Sequence, residues 1–521
     1  MKNLFQSAFV LFALTTSAIA QEKARGIIYE DLNNNGKKER NEKVLANVLV
    51  SNGVDVVATD KRGAYELTIT NDAPIFVIKP AGYQFALDAF NLPKFYYLHK
   101  PQGSPNLKYT GVEPTGKLPK SLDFGLVPAK ESQQFTAFAF GDPQAYNKAE
   151  INYFIDGIVK DIDKNKAVFG ISLGDLVGDD LVLHPDYKNA IKQIGLPWYN
   201  VMGNHDMNYD AKIDEHSDET YEANFGPNNF SFNYGKVHFI ILDNILYPDP
   251  RDGKSYWGGF REDQLKFVEN DLKHVPKDHL VVLSFHIPLE DNSGEWFRVA
   301  DRERLFDLLK DYPNTLSLSA HTHIQQQIFY GKDKGWKQGK AHHEYNVGTT
   351  SGDWYSGEMN AQGVPSSTMR DGTPKGYAMI HFDGNKYKVD YKVAGKSQDY
   401  QINVFAPKEV IKAEKSRHSV YANVFMGTPT DEVLFSVNDG EWKKMKFTEE
   451  GDPQYESTFY KWDVSEKAIR GRRPSKSVKS THLWSAKIPT SLAVGTHKVK
   501  IKATDLYGKV HYGETTYKIT E

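Results

Sequence analysis

The chain has 521 residues, of which 40% are apolar and 25% charged, the composition of a globular protein with room for about three domains. Its formal net charge of −3 gives no overall attraction for nucleic acid or for an anionic membrane, so neither is expected as a partner. The chain contains no cysteine, which excludes disulfide bonds and a lipid-modified N-terminal cysteine.

Residues 1–20 have the features of a secretory signal peptide. Lys2 supplies a positive charge, residues 4–14 form a short apolar core, and Ala18-Ile19-Ala20 is a small-residue cleavage site. Because the apolar core is too short to cross a bilayer, a membrane anchor is the weaker interpretation. The sequence therefore predicts a periplasmic or secreted mature protein without a membrane span.

Residues 21–130 predict a β-sandwich-like domain, since short β-branched runs such as AYELTIT alternate with turn signals such as Asn52-Gly53. Within it, residues 31–42 (DLNNNGKKERNE) have the spacing of a loop that binds Ca²⁺ through oxygen ligands. A plain turn is an equal alternative, because Lys37, Lys38 and Arg40 lie in the same loop. The candidate calcium ligands are Asp31, Asn33, Asn35 and Glu42.

Residues 131–395 alternate strand and helix signals and predict an α/β domain. VFGISLG, VHFIILDN and HLVVLSFH are buried-strand runs, whereas INYFIDGIVKDIDKN (151–165) and REDQLKFVENDLK have apolar residues at helical spacing. Residues 396–521 return to short strand runs that are similar to the closing strands of immunoglobulin-like modules. In this last part, the basic stretch 470–479 (RGRRPSKSVK) suits a solvated loop or, alternatively, contact with an anionic substrate.

Five short polar segments, each directly after a predicted strand of residues 131–395, contain the candidate functional residues. They read FGDPQ (140–144), LGDLVGDD (173–180), GNHD (203–206), SFHIP (284–288) and SAHTH (319–323). In an α/β sheet, the edge beyond the carboxyl ends of the strands is where ligands bind. Carboxylate oxygens mixed with imidazole nitrogens suit Mn, Zn or Fe. The segments therefore predict a metal site at this edge.

The order of these segments resembles the calcineurin-like metallophosphoesterases, whose pattern is D-x-H, GD-x-x-x-(D), GNH-(D/E), a lone His and GH-x-H. The whole chain resembles the exported bacterial type, which has β domains on both sides of the core. The resemblance implies a four-layer α/β (α+β) core with mixed sheets, an N-terminal β-sandwich-like domain and a C-terminal immunoglobulin-like domain. It also implies hydrolysis of a phosphomonoester or phosphodiester by attack of hydroxide held on two divalent ions, which would be Mn, Zn, Fe or Mg. The identity of the substrate and the oligomeric state stay open.

The resemblance also assigns roles to residues. Asp175 would bridge two ions, with Asp142 and His323 completing one site and Asn204, His286 and His321 the other. His205 would act on the leaving oxygen, and Asp206 would orient its ring.

The sequence departs from the family pattern at Gln144, which stands where His is usual. An amide oxygen is a weaker ligand than imidazole for Zn or Fe, so the first site would be looser or favour Mn²⁺ or Mg²⁺. The alternative is a phosphoesterase-fold protein without turnover, which uses its β domains to hold a glycan or a protein partner.

Overall fold

The computed structural model describes residues 22–290 and 294–521. Its strands fall into three groups along the chain, at residues 22–128, 134–393 and 402–520. The predicted limits near residues 130 and 395 lie between these groups. The predicted signal peptide lies outside the described residues, and none of the helices within them is long and apolar enough to cross a bilayer.

The first group forms an N-terminal domain of two four-stranded sheets. Its strands are β1 (Glu22–Glu30), β2 (Leu49–Ser51), β3 (Val56–Ala58), β4 (Ala64–Ile69), β5 (Ala73–Ile78), β6 (Tyr83–Gln84), β7 (Tyr96–His99) and β8 (Phe124–Pro128). One sheet has the order β4-β1-β8-β6 and the other β3-β2-β5-β7. In β4 buried residues alternate with more exposed ones, because one face of the strand covers the core of the domain.

The second group forms the core of the molecule. Its strands are β9 (Gln134–Phe140), β10 (Phe169–Leu173), β11 (Trp198–Val201), β12 (Phe230–Tyr234), β13 (Val237–Ile241), β14 (Ile245–Leu246), β15 (Trp257–Gly258), β16 (Leu280–Ser284), β17 (Asn314–Ser319), β18 (Gln326–Tyr330), β19 (His342–Asn346), β20 (Gly357–Glu358), β21 (Gly376–Asp383) and β22 (Lys386–Val393). The two main sheets are mixed and have the orders β11-β10-β9-β21-β22 and β12-β13-β16-β17-β19-β18. In the first sheet β9, β10 and β11 are parallel, and in the second β13, β16, β17 and β19 are parallel.

The two core sheets pack face to face with helices outside them. The helices are α1 (Lys148–Gly157), α2 (His184–Lys192), α3 (Glu219–Phe225), α4 (Glu262–Leu272) and α5 (Val299–Leu309). Phe169 of the first sheet meets Phe239 of the second, with ring centroids 5.4 Å apart. Phe154 of α1 covers Phe140 of the first sheet, and Phe306 of α5 packs on the second.

The N-terminal domain shares one hydrophobic core with the central sheets. Phe76 of β5 contacts Phe267 of α4 at 5.7 Å between ring centroids, and Phe95 contacts Phe230 of β12 at 4.7 Å. Aromatic pairs of this kind contribute beyond the area that they bury. The N-terminal sheets therefore form one wall of the core rather than a separately tethered module.

The third group forms a C-terminal domain with its own apolar core. Its elements are β23 (Ile402–Phe405), β24 (Glu409–Ile411), β25 (Ser419–Val424), β26 (Val433–Val437), β27 (Lys443–Lys444), β28 (Lys446–Phe447), α6 (Pro453–Val464), β29 (Gly471–Arg472), β30 (Leu483–Lys487), β31 (Gly495–Thr504) and β32 (Val510–Thr520). Two sheets have the orders β23-β25-β30-β28 and β24-β32-β31-β26-β27, while β29 pairs with β20 of the core. The domain also contacts the core through the buried pair of His482 and Asp371, whose side-chain atoms lie 3.1 Å apart.

The structure differs from the sequence prediction at two helices. The helix predicted over residues 151–165 ends at Gly157, and short 3₁₀ turns follow it, because the backbone leaves helical geometry at Ile158. Helix α6 was not expected in a β domain. Its start is nevertheless encoded locally, since the Asp452 carboxylate accepts the Tyr455 N–H and Pro453 occupies the first turn.

Candidate metal centre

The central sheets bring all five polar segments to one place through their parallel strands. Asp142 lies two residues after β9, Asp175 two after β10, and Asn204 three after β11. In the second sheet His286 lies two residues after β16 and His321 two after β17. Carboxyl ends of parallel strands share an edge, so residues distant in sequence meet there.

One cluster, in which Asp175 and His286 are buried and His321 is partly buried, has the geometry of a metal site. Single ligand atoms of Asp175, His286 and His321 all lie within 4.8 Å of one another. The Oδ1 atom of Asn204 lies 3.1 Å from Nε2 of His286, so the amide oxygen joins the same cluster. These are the residues that the resemblance places at one ion together with the bridging carboxylate.

A second cluster adjoins the first through Asp142. Nε2 of His323 lies 3.7 Å from Asp142 Oδ1, and both side chains are buried. Gln144 is also buried, and its Nε2 lies 3.3 Å from Asp175 Oδ2. The Oε1 atom of Gln144 is buried without a hydrogen-bond partner in the described residues. A buried amide oxygen without a partner is costly, and a bound cation would satisfy it.

The histidine hydrogen bonds favour cation binding. His286 donates from Nδ1 to the Leu173 carbonyl (2.8 Å), and His323 donates from Nδ1 to the Gly352 carbonyl (2.9 Å). When the ring is neutral, this hydrogen bond leaves the lone pair of Nε2 directed at carboxylate oxygens. The Nε2 lone pair and the carboxylate oxygens would then repel each other, and a cation bound between them would remove this repulsion. The donor set therefore fits divalent metal ions.

Several candidate ligands have strained backbone conformations. Asp142, Gln144, Asp175, His321 and His323 all have positive φ, between 35° and 70°. Non-glycine residues in this region cost free energy and are found at sites where geometry matters for function. Close packing adds a further constraint, because a Cβ at position 203 would lie 2.0 Å from the Asp175 nitrogen. Only glycine fits before Asn204.

Burial and neighbouring charges shift the pKa values of the cluster in both directions. Burial would lower the pKa of His286, but Asp175 and Asp142 raise it to about 9. Burial raises the pKa of Asp142 to about 8, although the neighbouring His286 opposes the shift. Burial would also raise the pKa of Asp175, but His286 and His205 together hold it below its ordinary value. Burial lowers the pKa of His321 to about 3 and that of His323 to about 4, so both rings are neutral near pH 7. Neutral imidazole is the form that binds metal.

His205 is oriented by a different carboxylate from the one predicted. Its Nδ1 lies 2.7 Å from Oδ1 of Asp179, while its Nε2 faces the cluster at 4.0 Å from Asp175 Oδ2. Burial would lower the pKa of His205, but Asp175 and Asp179 raise it to about 9. The expectation that Asp206 orients this ring is wrong.

Asp206 instead ties together two of the polar segments. Its buried carboxylate accepts the backbone N–H groups of Leu176, Val177 and Gly203, at 2.9 to 3.3 Å. The Nε2 atom of His184 completes this shell at 3.2 Å. The two adjacent residues diverge because residues 204–206 form a 3₁₀ turn, which sends neighbouring side chains in different directions.

The C-terminal domain contributes to the wall of the centre. Trp354 stacks on His323, with ring centroids 4.2 Å apart. Arg472 donates from Nη2 to the Trp354 carbonyl, and the Asp353 carboxylate accepts the Ser475 N–H at 2.7 Å. The basic stretch is therefore not a free loop, because its residues 471–472 form β29 beside β20. The sequence favoured a solvated loop for this stretch, with contact with an anionic substrate as the alternative, and did not place it here.

The predicted calcium loop has a compact arrangement of its own. Asp31 accepts the backbone N–H groups of Asn35 and Gly36, and Glu42 accepts those of Leu32 and Glu39. Asn33 and Asn35 bond to Glu39 through their amide groups. These contacts account for a stable turn, and calcium binding here stays a prediction.

Comparison with known proteins identifies the class to which the site belongs. Three family models match in sequence order: the N-terminal part of calcineurin-like phosphoesterases at residues 32–111, the calcineurin-like phosphoesterase domain at 136–325, and the C-terminal part at 344–511. The chain is 31% identical over 200 residues to a probable glycerophosphodiester phosphodiesterase of Arcobacter nitrofigilis. That match spans 36% of this chain and 69% of the relative.

The chain belongs to the calcineurin-like phosphoesterase family, and it is a metal-dependent phosphoester hydrolase. The predicted family is thereby confirmed, as is the predicted architecture of a mixed-sheet core between two strand-rich domains. The immunoglobulin-like character of the last domain stays a prediction.

Comparison with solved structures finds distant matches, among them one protein from yellow lupin and one from Plasmodium. Purple acid phosphatase PPD1 from yellow lupin seeds has a TM-score of 0.37 and 13% identity, over 71% of this chain and 66% of that chain. The chain thus spans slightly less than two thirds of the lupin protein. GAP50, the anchor in the inner membrane complex of Plasmodium, has a TM-score of 0.31 and 17% identity, over 51% of this chain and 86% of that chain.

Proposed function

We propose that this protein is an exported phosphoesterase that holds two divalent metal ions and hydrolyses a phosphomonoester or a phosphodiester. The observation that carries the proposal is the convergence of buried Asp175, buried His286 and partly buried His321 at the carboxyl edge of two sheets. In this proposal Asp175 would be shared by both ions, Asp142, Gln144 and His323 would hold one of them, and Asn204, His286 and His321 would hold the other.

The donor atoms bear on the identity of the metal. Carboxylate, amide and imidazole ligands together suit Mn, Zn or Fe. The neutral amide of Gln144 shifts the first site toward Mn²⁺ or Mg²⁺. When bound, two such ions supply Lewis acidity toward the phosphate group and toward the water that attacks it.

His205 is the residue that handles the proton of the leaving group. Asp179 holds Nδ1, so Nε2 points at the cluster rather than at solvent. From that position Nε2 can protonate the oxygen that departs from phosphorus, as a general acid does. Asp206 acts indirectly, because its carboxylate holds the backbone of the segments that contain Asp175 and Asn204.

The proposal is tested by measuring metal content and hydrolysis on the same preparation. The protein is purified without chelator, analysed by plasma mass spectrometry, and assayed on 4-nitrophenyl phosphate and bis(4-nitrophenyl) phosphate with added Mn²⁺, Zn²⁺ or Mg²⁺. We expect two equivalents of metal and hydrolysis of one or both esters, with both metal and activity lost in Asp175→Asn. Asp180→Asn is the control, since this carboxylate lies outside the cluster. One equivalent or none, without rescue by added metal, would refute the dinuclear centre.

Export is tested separately by the mass of the protein recovered from the periplasm or medium of an expressing bacterium. Cleavage after Ala20 gives a chain that begins at Gln21. Retention in the cytoplasm with an intact N-terminus would refute this part of the proposal.

A further inference from the structure

One basic residue of the C-terminal domain is fixed at the edge of the metal centre. Arg472 belongs to β29, which pairs with β20 of the core so that Gly357 faces Arg472. The preceding Gly471 has φ of +133°, and a Cβ there would lie 2.1 Å from the carbonyl oxygen of Gly357. The close approach of the two backbones thus requires glycine at 471. The strand pairing and the glycine at 471 together determine the position of Arg472.

The guanidinium of Arg472 is hydrogen-bonded to the loop that contains Trp354, which packs on the candidate metal ligand His323. Its Nη2 donates to the Trp354 carbonyl and lies 3.5 Å from the Asp353 carbonyl oxygen. The indole of Trp354 stacks on His323 at 4.2 Å between centroids. Trp354 is therefore the residue that links the arginine to His323.

The rest of the guanidinium is available to a ligand. Arg472 is exposed, and its Nε and Nη1 groups make no hydrogen bond with any residue in the described part of the chain. The planar fork of five N–H donors is well suited to the oxygens of a phosphate group. An arginine anchored through one nitrogen loses little further freedom when the others bind an anion.

The residue that Arg472 holds adjoins the first metal position. Trp354, whose carbonyl accepts from Arg472, stacks its ring on His323. Nε2 of His323 lies 3.7 Å from Asp142 Oδ1, so Trp354 and His323 link Arg472 to Asp142. Arg472 therefore lies beside the wall of the site in which a phosphate would bind.

We propose that Arg472 is a substrate-binding residue that contacts a terminal charged oxygen of the phosphate, and that it makes dianionic phosphomonoesters the preferred substrate class. A monoester presents that oxygen as an anion, whereas in a diester the corresponding position carries the second ester group. The inference rests on the proposed phosphoesterase function.

The test compares Arg472→Ala with Arg473→Ala, a matched control one residue away. The Arg473 guanidinium is paired with Asp463 and lies over the Phe459 ring, so its loss leaves the metal centre untouched. We expect Arg472→Ala to lower kcat/KM for 4-nitrophenyl phosphate by about 10- to 100-fold, mainly through KM, because a charged hydrogen bond is lost. For bis(4-nitrophenyl) phosphate we expect a change of less than about threefold. Equal losses on the two esters would overturn the proposal.

Two measurements separate binding from damage to the loop. Metal content of each variant is measured first, and Arg472→Gln, which can still donate to the Trp354 carbonyl, replaces Arg472→Ala should that variant lose metal. Inorganic phosphate is then titrated calorimetrically into the metal-loaded protein. We expect its Kd to rise about tenfold or more in Arg472→Gln and to stay unchanged in Arg473→Ala. An unchanged Kd in Arg472→Gln would overturn the role of Arg472 even where no ester is hydrolysed. Absence of hydrolysis in the wild type would instead count against the proposed function alone.

Discussion

Asp179 offers a direct test of how the imidazole of His205 works. The carboxylate lies 2.7 Å from Nδ1 and is the partner that directs Nε2 to the cluster. Asp179→Asn keeps the shape of the side chain and one possible acceptor, but it removes the negative charge beside the ring. We expect kcat to fall while metal content stays at the wild-type level, since Asp179 is not among the proposed ligands.

The expected size of the effect follows from exposure. A shielded hydrogen bond to a charged group contributes about 1.5–3 kcal/mol, whereas exposed ion pairs contribute about 0–1 kcal/mol. The Asp179 side chain is 53% exposed and that of His205 is 23% exposed, so a value near 1 kcal/mol is appropriate. This corresponds to a loss of about fivefold in kcat. Removing the acid itself, in His205→Ala, costs about 10²- to 10⁴-fold.

The assay uses a series of aryl phosphates that differ in the leaving group. A poor leaving group such as phenolate needs the proton in the transition state, whereas 2,4-dinitrophenolate departs almost without it. The losses in Asp179→Asn and His205→Ala should therefore be largest for phenyl phosphate and smallest for 2,4-dinitrophenyl phosphate. Asp180→Asn is the control and should behave as wild type across the series. Losses of equal size for every leaving group would refute proton donation by His205.

Other residues give three further predictions. Gln144→His should raise the Zn or Fe retained through purification, measured by plasma mass spectrometry, and unchanged metal content would show that Gln144 is not a ligand. Asp206→Asn should lower the free energy of unfolding by about 2 kcal/mol, and with it the melting temperature, because three backbone N–H groups lose their shared carboxylate. The same change should reduce metal retention. A variant with wild-type stability but altered leaving-group dependence would contradict this prediction. Burial raises the pKa of Glu344 from 4.5 to about 7, so between these pH values the folded state holds a proton that the unfolded chain releases. The free energy of unfolding should therefore fall by about 3 kcal/mol as the pH rises from 4.5 through 7. Glu344→Gln should flatten that dependence in denaturant titrations at several pH values, and an unchanged slope would contradict it.

The sequence was sufficient to locate the candidate metal residues but not to pair every side chain with its partner. Asp142, Asp175 and His286 each follow a strand whose buried run is plain in the sequence, and parallel strands then bring them together. The partner of His205 could not be read in this way. Adjacency in sequence favoured Asp206, whereas a 3₁₀ turn separates the two side chains and the carboxylate that arrives is Asp179.

The position of Arg472 was also beyond sequence analysis. A two-residue strand has too few residues to show a period, and Gly357, which pairs with Arg472, lies 115 positions earlier in the chain. What determines the pairing is the docking of a whole domain, including the buried contact of His482 with Asp371. The local pattern of apolar and polar residues carries no information about how two domains dock.

The loop behind His323 has a consequence for the order of events during synthesis. Its Asp353 carboxylate is held by the Ser475 N–H, which is 122 residues further along the chain, and by the hydroxyl of Tyr455. Contacts between such distant positions form late, because a long loop must close first. A nascent chain that has already made every candidate metal ligand, up to His323, still lacks the piece that holds this wall in place. The wall of the site is therefore complete only when almost the whole polypeptide has been made, and a chain truncated before residue 475 lacks the contact that holds Asp353.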